Sequence, residues 1–100
     1  MKKLFISQPM KGRTDEEIFT ERQKAVDAAR KHIGEDVEVI DSFFQDAPAG
    51  EQGALWCLGK SLELMSAADV VYFTKGWDEA RGCKIEWACA EAYGIPYIAD

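Results

Sequence analysis

Glu86 is the residue best placed for chemistry, because a short strand, a polar loop and a glycine precede it along the chain. The pattern predicts that Gly82 opens a helix just after a strand at 69–73, which puts Glu86 in the first turn of that helix. The partial positive charge of a helix N-terminus holds a nearby carboxylate ionised, so it can act as a nucleophile or base. Glutamates are also common in first turns simply because they complement the helix dipole, and this alternative stays open.

Another candidate region is the loop that joins the first apolar run to the first predicted helix. Free backbone N–H groups at the helix start, a glycine that permits close approach and two cations favour a phosphate site. The glycine spacing is neither that of a P-loop nor that of a dinucleotide-binding turn, so a solvated turn is the alternative. The predicted substrate-binding residues of this loop are Ser7, Gln8, Met10, Lys11, Gly12 and Arg13.

A second loop, at 74–82, contributes Trp77, Asp78 and Gly82 to the predicted substrate site. An aromatic side chain at the mouth of a pocket can stack on a base or a sugar. Trp77 is equally suited to pack against the neighbouring helix, and Asp78 and Glu79 to be ordinary exposed loop acids.

Hydrophobic periodicity predicts four short strands and three helices in alternation. The strands are expected at 4–6, 37–40, 69–73 and 95–98, and a loop at 42–53 is long enough to be functional. Thr14 and Glu17 form a capping box that begins a helix at about residue 15, and Gly34 ends it. The residues expected to face the core are Ile18, Arg22, Ala25, Val26, Ala29 and Ile33 in the first helix, Leu55, Leu58, Leu62 and Met65 in the second, and Ile85, Ala88, Cys89 and Ala92 in the third.

This alternation predicts an α/β fold in which right-handed crossovers place helices on both faces of a parallel sheet. We expect one domain over residues 1–100, with a three-layer, flavodoxin-like or Rossmann-like open sheet and strand order 2-1-3-4. The strand order then reverses between the first and third strands. The loops at 7–13 and 74–82 should therefore face each other across one crevice, where such sheets bind ligands.

Composition narrows the range of partners. Hydrophobic residues make up 47% of the 100 residues and charged residues 30%, as in ordinary soluble globular proteins. A net charge of -6 argues against binding to nucleic acid polymers or to anionic membranes, although it allows a small anionic ligand in a local pocket. Neither a membrane span nor a signal peptide is recognisable, and a cytoplasmic protein is expected.

The three cysteines, Cys57, Cys83 and Cys89, are interpreted as reduced thiols, because their number is odd and no CxxC spacing occurs. No metal site and no cofactor are predicted, since cysteines six residues apart with no nearby histidine do not form a zinc set. A thiol enzyme centred on Cys83 is a competing hypothesis, because a helix start beside Arg81 lowers a thiol pKa. Against it, His32 falls near the end of the first helix, far from the crevice.

The order of several short motifs resembles that of the nucleoside 2-deoxyribosyltransferase-like family, and most of all its short phage and bacterial branch. The resemblance covers nearly the whole chain. The loop at 11–13 is also similar to the phosphate-binding loop of deoxynucleoside 5′-monophosphate N-glycosidases. The motifs that carry the resemblance are LFISQPM at 4–10, Ala68-Asp69 ahead of the third strand, Gly82-x-x-x-Glu86, and Gly94-Ile95-Pro96.

The resemblance implies an enzyme that cleaves the N-glycosidic bond of a (deoxy)nucleoside or its 5′-monophosphate. A glutamate at the position of Glu86 attacks the anomeric carbon, and the sugar then passes to another base or to water. The chain departs from the family pattern at Phe5, Ser61 and Ala80, where the family has a tyrosine, an aspartate, and an aspartate or serine. Asp41, Asp78 or Glu79 are the candidates for the missing acid, and a catalytically inactive nucleotide-binding or nucleotide-sensing module is the alternative.

A homo-oligomer is predicted as well. The second helix carries Trp56 and Leu64 outside its main apolar stripe, which favours a partner surface. The resemblance implies the same, since family members often assemble with a neighbour completing the pocket.

Overall fold

The apolar runs form four parallel strands in this computed structural model, which describes residues 1–42 and 49–100. The strands are β1 (Lys2–Ser7), β2 (Val37–Val39), β3 (Val70–Phe73) and β4 (Tyr97–Ala99). They are arranged in the order β2-β1-β3-β4, and every neighbouring pair is parallel. With helices on both of its faces, this is a Rossmann-like open sheet, and the predicted fold class and strand order are confirmed.

The two central strands end side by side. Ser7 at the end of β1 is in register with Phe73 at the end of β3, and the next N–H along, that of Thr74, donates to the Ser7 carbonyl at 3.0 Å. The loops after β1 and β3 therefore leave from the same edge of the sheet, as predicted. The strand order reverses between these strands, which is where open α/β sheets bind ligands.

Helix α1 (Asp15–Ile33) covers one face of the sheet. Its capping box is present: Thr14 Oγ1 accepts from the Glu17 N–H, and Glu17 Oε1 accepts from the Thr14 N–H, both at 3.1 Å. Gly34 ends the helix in the left-handed conformation, with φ of 82°. The predicted core-facing residues of α1 are buried, except that Ile33 is half-buried.

Helices α2 (Glu51–Met65) and α3 (Arg81–Tyr93) cover the opposite face. Residues 43–48 of the predicted 42–53 loop lie outside the described residues, and its last three residues belong to α2. Met65 is buried, but Leu55 is 70% exposed, so the prediction that Leu55 faces the core is wrong. In this part of α2 the side that faces inward carries Ala54, Cys57 and Leu58, which line a cavity, and Leu55 lies outside that lining.

The rotation of α3 also differs from the prediction. Ile85, Ala88 and Ala92 are exposed, and the buried residues are Cys83, Glu86 and Ala90. Cys89 alone among the expected core residues packs, half-buried, against the sheet. The small Ala90 lies in the same core cluster as Phe73, and Trp87 stacks on Trp77 with ring centroids 5.8 Å apart. These contacts fix the helix with Ile85, Ala88 and Ala92 turned outward.

Alternation along the strands builds one core on each side of the sheet. Leu4, Ile6, Val70 and Tyr72 pack towards α1, whereas Phe5, Val71 and Phe73 pack towards α2 and α3. Strands β2 and β4 form the edges of the sheet, as expected for β4. In the part of the chain that the structure describes, every helix is too short or too polar to cross a membrane.

Candidate functional site

A cavity of about 760 Å³ opens at the carboxyl ends of β1 and β3, between α2 and the start of α3. This volume falls in the range of small-molecule binding sites, roughly 300–1,000 Å³. The cavity joins segments that are far apart in the sequence, as predicted for the crevice at the switch point. Its lining includes Gln8, Met10, Lys11 and Arg13 from the first loop, Ala54, Cys57, Leu58 and Ser61 from α2, and Glu79, Ala80, Arg81, Gly82, Cys83 and Glu86 around the start of α3.

Glu86 lies on this lining and is 6% exposed. Since α3 begins at Arg81, Glu86 is in the second turn, and the prediction that it occupies the first turn is wrong. The prediction that the helix N-terminus holds this carboxylate ionised is wrong as well, because the pKa of Glu86 is raised. Burial raises the pKa of Glu86 to about 7, although hydrogen bonds from Ser7 and Ser61 act in the opposite direction. Near neutral pH this carboxyl group is therefore divided between its charged and neutral forms.

Neutral donors surround the Glu86 carboxyl group. Ser7 Oγ donates to Glu86 Oε1 at 2.6 Å from the end of β1, and the Ser61 hydroxyl bonds the same carboxyl group from α2. Both contacts come from neutral hydroxyl groups, so Glu86 is not paired with a second carboxylate in them. This arrangement avoids the repulsion of two buried carboxylates.

Cys83 is buried one helical turn before Glu86. Burial is the main cause that raises the pKa of its thiol to about 11, with the charge of Glu86 acting in the same direction. A thiol with such a pKa is almost entirely protonated at neutral pH and is a poor nucleophile. The hypothesis of a thiol enzyme centred on Cys83 is therefore disfavoured, and His32 is exposed near the end of α1.

The first loop is tied to α1 and to β3 through Glu21. Glu21 Oε1 accepts hydrogen bonds from Arg13 Nη1 at 2.6 Å, Gln8 Nε2 at 3.0 Å and Thr74 Oγ1 at 3.2 Å. Arg13 and Glu21 form an ion pair with side chains 29% and 23% exposed. The guanidinium group of Arg13 thus lines the cavity while the carboxylate of Glu21 offsets part of its positive charge. Sequence reasoning missed Glu21, since it looks like any other glutamate on an acidic helix.

The helix that is suited to bind an anion is α3 rather than α1. The N-terminus of α1 is capped by Thr14 and Glu17, and Asp15, Glu16 and Glu17 make its first turn acidic. These carboxylates disfavour a phosphate at the N-terminus of α1 itself, whereas Lys11 and Arg13 of the predicted cradle line the cavity. At α3, Ala80 is the N-cap residue, no side chain caps the helix, and its first turn contains no acidic residue. The first N–H groups of a helix lack partners within it, and at α3 they border the cavity.

Two predicted substrate-binding residues lie elsewhere. Trp77, in a short 3₁₀ helix (Trp77–Glu79), packs between Phe73 and Trp87, and its Nε1 donates to the Asp100 carbonyl at 3.2 Å. Asp78 is exposed, and neither Asp78 nor Trp77 belongs to the cavity lining. The alternative that Trp77 packs against the neighbouring helix is the one observed, because Phe73 and Trp87 offer it a complete aromatic environment.

The other predicted residues lie around the cavity, with two qualifications. Gln8, Met10, Lys11, Arg13 and Gly82 are on its lining, whereas Ser7 lies behind Glu86 and Gly12 is exposed on the turn. Gly12 has φ of 78°, the conformation that lets the turn close, so it shapes the loop instead of lining the site.

Two cationic or polar residues were missed: Arg81 and Ser61 both line the cavity. From the sequence, Arg81 is noted only as a residue of the second loop and a neighbour of Cys83, and Ser61 only as a departure from the family pattern. Their positions on the lining follow from the strand order, which brings α2 and the start of α3 to the same edge of the sheet. Within residues 1–42 and 49–100, no group of three or more metal-ligating side chains occurs.

Comparison of the chain with protein-family models, with curated proteins and with solved structures gives no match.

Proposed function

We propose that the protein cleaves the N-glycosidic bond of a (deoxy)nucleoside or its 5′-monophosphate, with Glu86 as the nucleophile. The observation that carries this proposal is the position of Glu86. Its carboxyl group is buried at a cavity that is also lined by Lys11, Arg13 and Arg81. A carboxylate for the sugar and cations for a phosphate thus share one cavity of suitable size. The resemblance to deoxyribosyltransferase-like enzymes supports the same reaction.

In this reaction the ionised Glu86 attacks the anomeric carbon of the sugar, and the bond from that carbon to the base breaks. The electron pair of the broken bond leaves with the base. The resulting glycosyl ester is then opened by water or by a second base, which regenerates the carboxylate. A covalent intermediate of this kind divides one difficult step into two easier ones.

The phosphate end is assigned to the start of α3. The uncapped N-terminus of α3 and the side chains of Lys11 and Arg81 border the same cavity. Oriented N–H groups and cations are the usual ligands of a phosphate in proteins. A 5′-phosphate held there supplies binding energy at a distance from the bond that breaks.

Protonation of the leaving base is assigned to Glu79. Glu79 and Glu86 are the carboxyl groups that line the cavity among the described residues, whereas Asp41 and Asp78 lie outside that lining. Of the three acids considered from the sequence, Glu79 is thus the one on the cavity lining. A positioned general acid makes the departure of a neutral base easier.

The second candidate is a nucleotide-binding module without catalytic activity. It is favoured by the neutral surroundings of Glu86, where Ser7 and Ser61 are its hydrogen-bond donors. A carboxyl group divided between its two protonation states near pH 7 is a weaker nucleophile than one held fully ionised. In this case the cavity binds the nucleotide and no bond is broken.

Incubation with each of the four deoxynucleoside 5′-monophosphates, followed by chromatography for free base, distinguishes the candidates. Base release by the wild type and its loss in Glu86→Gln would support the enzyme, with Glu63→Gln, an exposed glutamate on α2, as the matched control. Binding without base release, equal in the wild type and Glu86→Gln, would support the binding module. Neither binding nor release for any nucleotide or nucleoside would reject both.

A further inference from the structure

Ser7 is held at the centre of a buried contact between β1 and α3. Its side chain is 1% exposed, and Oγ donates to Glu86 Oε1 at 2.6 Å across 79 residues of sequence. Ser7 lies behind the carboxyl group and outside the cavity lining, whereas Ser61 lies on the lining. The hydroxyl of Ser7 therefore contacts the carboxyl group from outside the cavity lining.

The hydrogen-bond capacity of Ser7 fixes the direction of this contact. A serine hydroxyl has one proton to donate and two lone pairs that accept. A carboxylate oxygen only accepts, so the single proton of the Ser7 hydroxyl goes to Glu86 Oε1. The Cys83 thiol also interacts with the Ser7 side chain, so Ser7 contacts two residues of α3.

We propose that Ser7 is a positioning residue for Glu86, and that it anchors Oε1 so that the other carboxylate oxygen is presented to the cavity. Only this last consequence rests on the proposed function, because the anchoring itself is a property of the free protein. The bond also stabilises the charged form of the carboxyl group, since an O–H donor is attracted more strongly to a carboxylate than to a carboxylic acid.

The anchoring is tested on the free protein by ¹³C NMR titration of carboxyl groups in protein labelled at glutamate, with the Glu86 signal assigned from Glu86→Gln. Ser7→Ala is expected to move the Glu86 midpoint upward by about one pH unit. Thr74→Val is the matched control, because it removes a buried hydroxyl at the end of β3 that bonds Glu21 instead of Glu86. An unchanged midpoint in Ser7→Ala, or an equal shift in Thr74→Val, would overturn the proposal.

Ser7→Cys provides a second test if Ser7→Ala does not fold, since it retains a weak S–H donor of similar size. It is expected to give a smaller upward shift than Ser7→Ala, and a midpoint equal to that of the wild type would count against the anchoring.

Turnover adds a readout that a purely structural role of Ser7 would not change. On a substrate found by base release, Ser7→Ala should lower kcat at pH 7 with KM unchanged, and part of the loss should be recovered at higher pH. An unchanged kcat at every pH would overturn the orienting role of Ser7. If no substrate is cleaved, the proposed reaction fails, while the NMR titration still decides whether Ser7 anchors Glu86.

Discussion

Arg13 Nη1 donates to both carboxylate oxygens of Glu21, at 2.6 and 2.7 Å, and this ion pair joins the first site loop to α1. The same carboxylate also accepts hydrogen bonds from Thr74 Oγ1 at the end of β3 and from Gln8 Nε2 in the first loop. One side chain on α1 thereby holds both loops that border the cavity. The geometry of the site depends on a residue that does not line it.

Replacing Glu21 should destabilise the protein, because three donors then lose a charged acceptor at once. Glu21→Ala is expected to lower the free energy of unfolding by about 2 kcal/mol, the size typical for hydrogen bonds to charged groups. Urea denaturation measures this change. Glu16→Ala, an exposed glutamate in the first turn of α1, is the control and should change stability far less. Equal losses in the two variants would show that Glu21 does not hold the loops.

Glu86 should make stability depend on pH. Its pKa is about 7 in the folded protein against an ordinary value of 4.5, so the fold favours the neutral carboxyl group. The free energy of unfolding of the wild type, measured relative to that of Glu86→Gln, should be highest below pH 4.5. It should then fall as the pH rises through 7. The expected loss is about 3 kcal/mol between these limits. Urea denaturation of both proteins at pH 4 to 8, in steps of about one unit, tests this, and a constant difference between them would contradict it.

The sequence allowed the strands, their order and the position of the crevice to be predicted, because these depend on local patterns. Alternating apolar runs, the capping box at Thr14 and Glu17, and Gly34 each act within a few residues. Right-handed crossovers then leave few possible sheet orders. The convergence of Lys11, Arg13 and Glu86 on one cavity follows from that order alone.

The rotation of α3 and the protonation of Glu86 could not be predicted in the same way. Ile85, Ala88 and Ala92 lie at helical spacing, yet the aromatic contacts of Trp87 and the small size of Ala90 decide which side faces the sheet. The pKa of Glu86 depends on how deeply its carboxyl group is buried, and the spacing of residues along the sequence does not give that depth.

Base release should rise with pH, because the ionised form of Glu86 is the nucleophile in the proposed reaction. With a pKa of about 7, the rate constant kcat is expected to increase through neutral pH and to level off above it. A bound phosphate adds negative charge to the cavity and should move this midpoint upward rather than downward. Measuring kcat at a saturating substrate concentration from pH 5 to 9, in steps of about half a unit, tests the prediction. A rate that falls throughout this range would contradict Glu86 as the nucleophile and would report an acid, Glu86 or Glu79, that must be protonated.

Glu79→Gln should slow the release of neutral bases selectively. If Glu79 protonates the leaving base, its loss should lower kcat on deoxyguanosine monophosphate by roughly 10²-fold. The 7-methyl derivative carries a positive charge on its base, which leaves as a neutral molecule without protonation, so its rate should not change. Rates corrected for spontaneous release provide the comparison. Equal slowing of both substrates would show that Glu79 contributes to binding rather than to proton transfer.

The sequence predicts a homo-oligomer contact through Trp56 and Leu64 of α2, which are half-buried, and the outward face of α3 is a second candidate for that contact. Ile85 is 39% exposed and lies on the same helix face as the exposed Ala88 and Ala92. Light scattering over a range of concentrations should show self-association of the wild type and its loss in Ile85→Lys, since a buried unpaired ammonium group opposes association. Val39→Lys is the matched control, because Val39 is also 39% exposed but lies on the edge strand β2. Dissociation by Val39→Lys alone would place the contact at the edge of the sheet, and a wild type that is monomeric at every concentration would reject the oligomer.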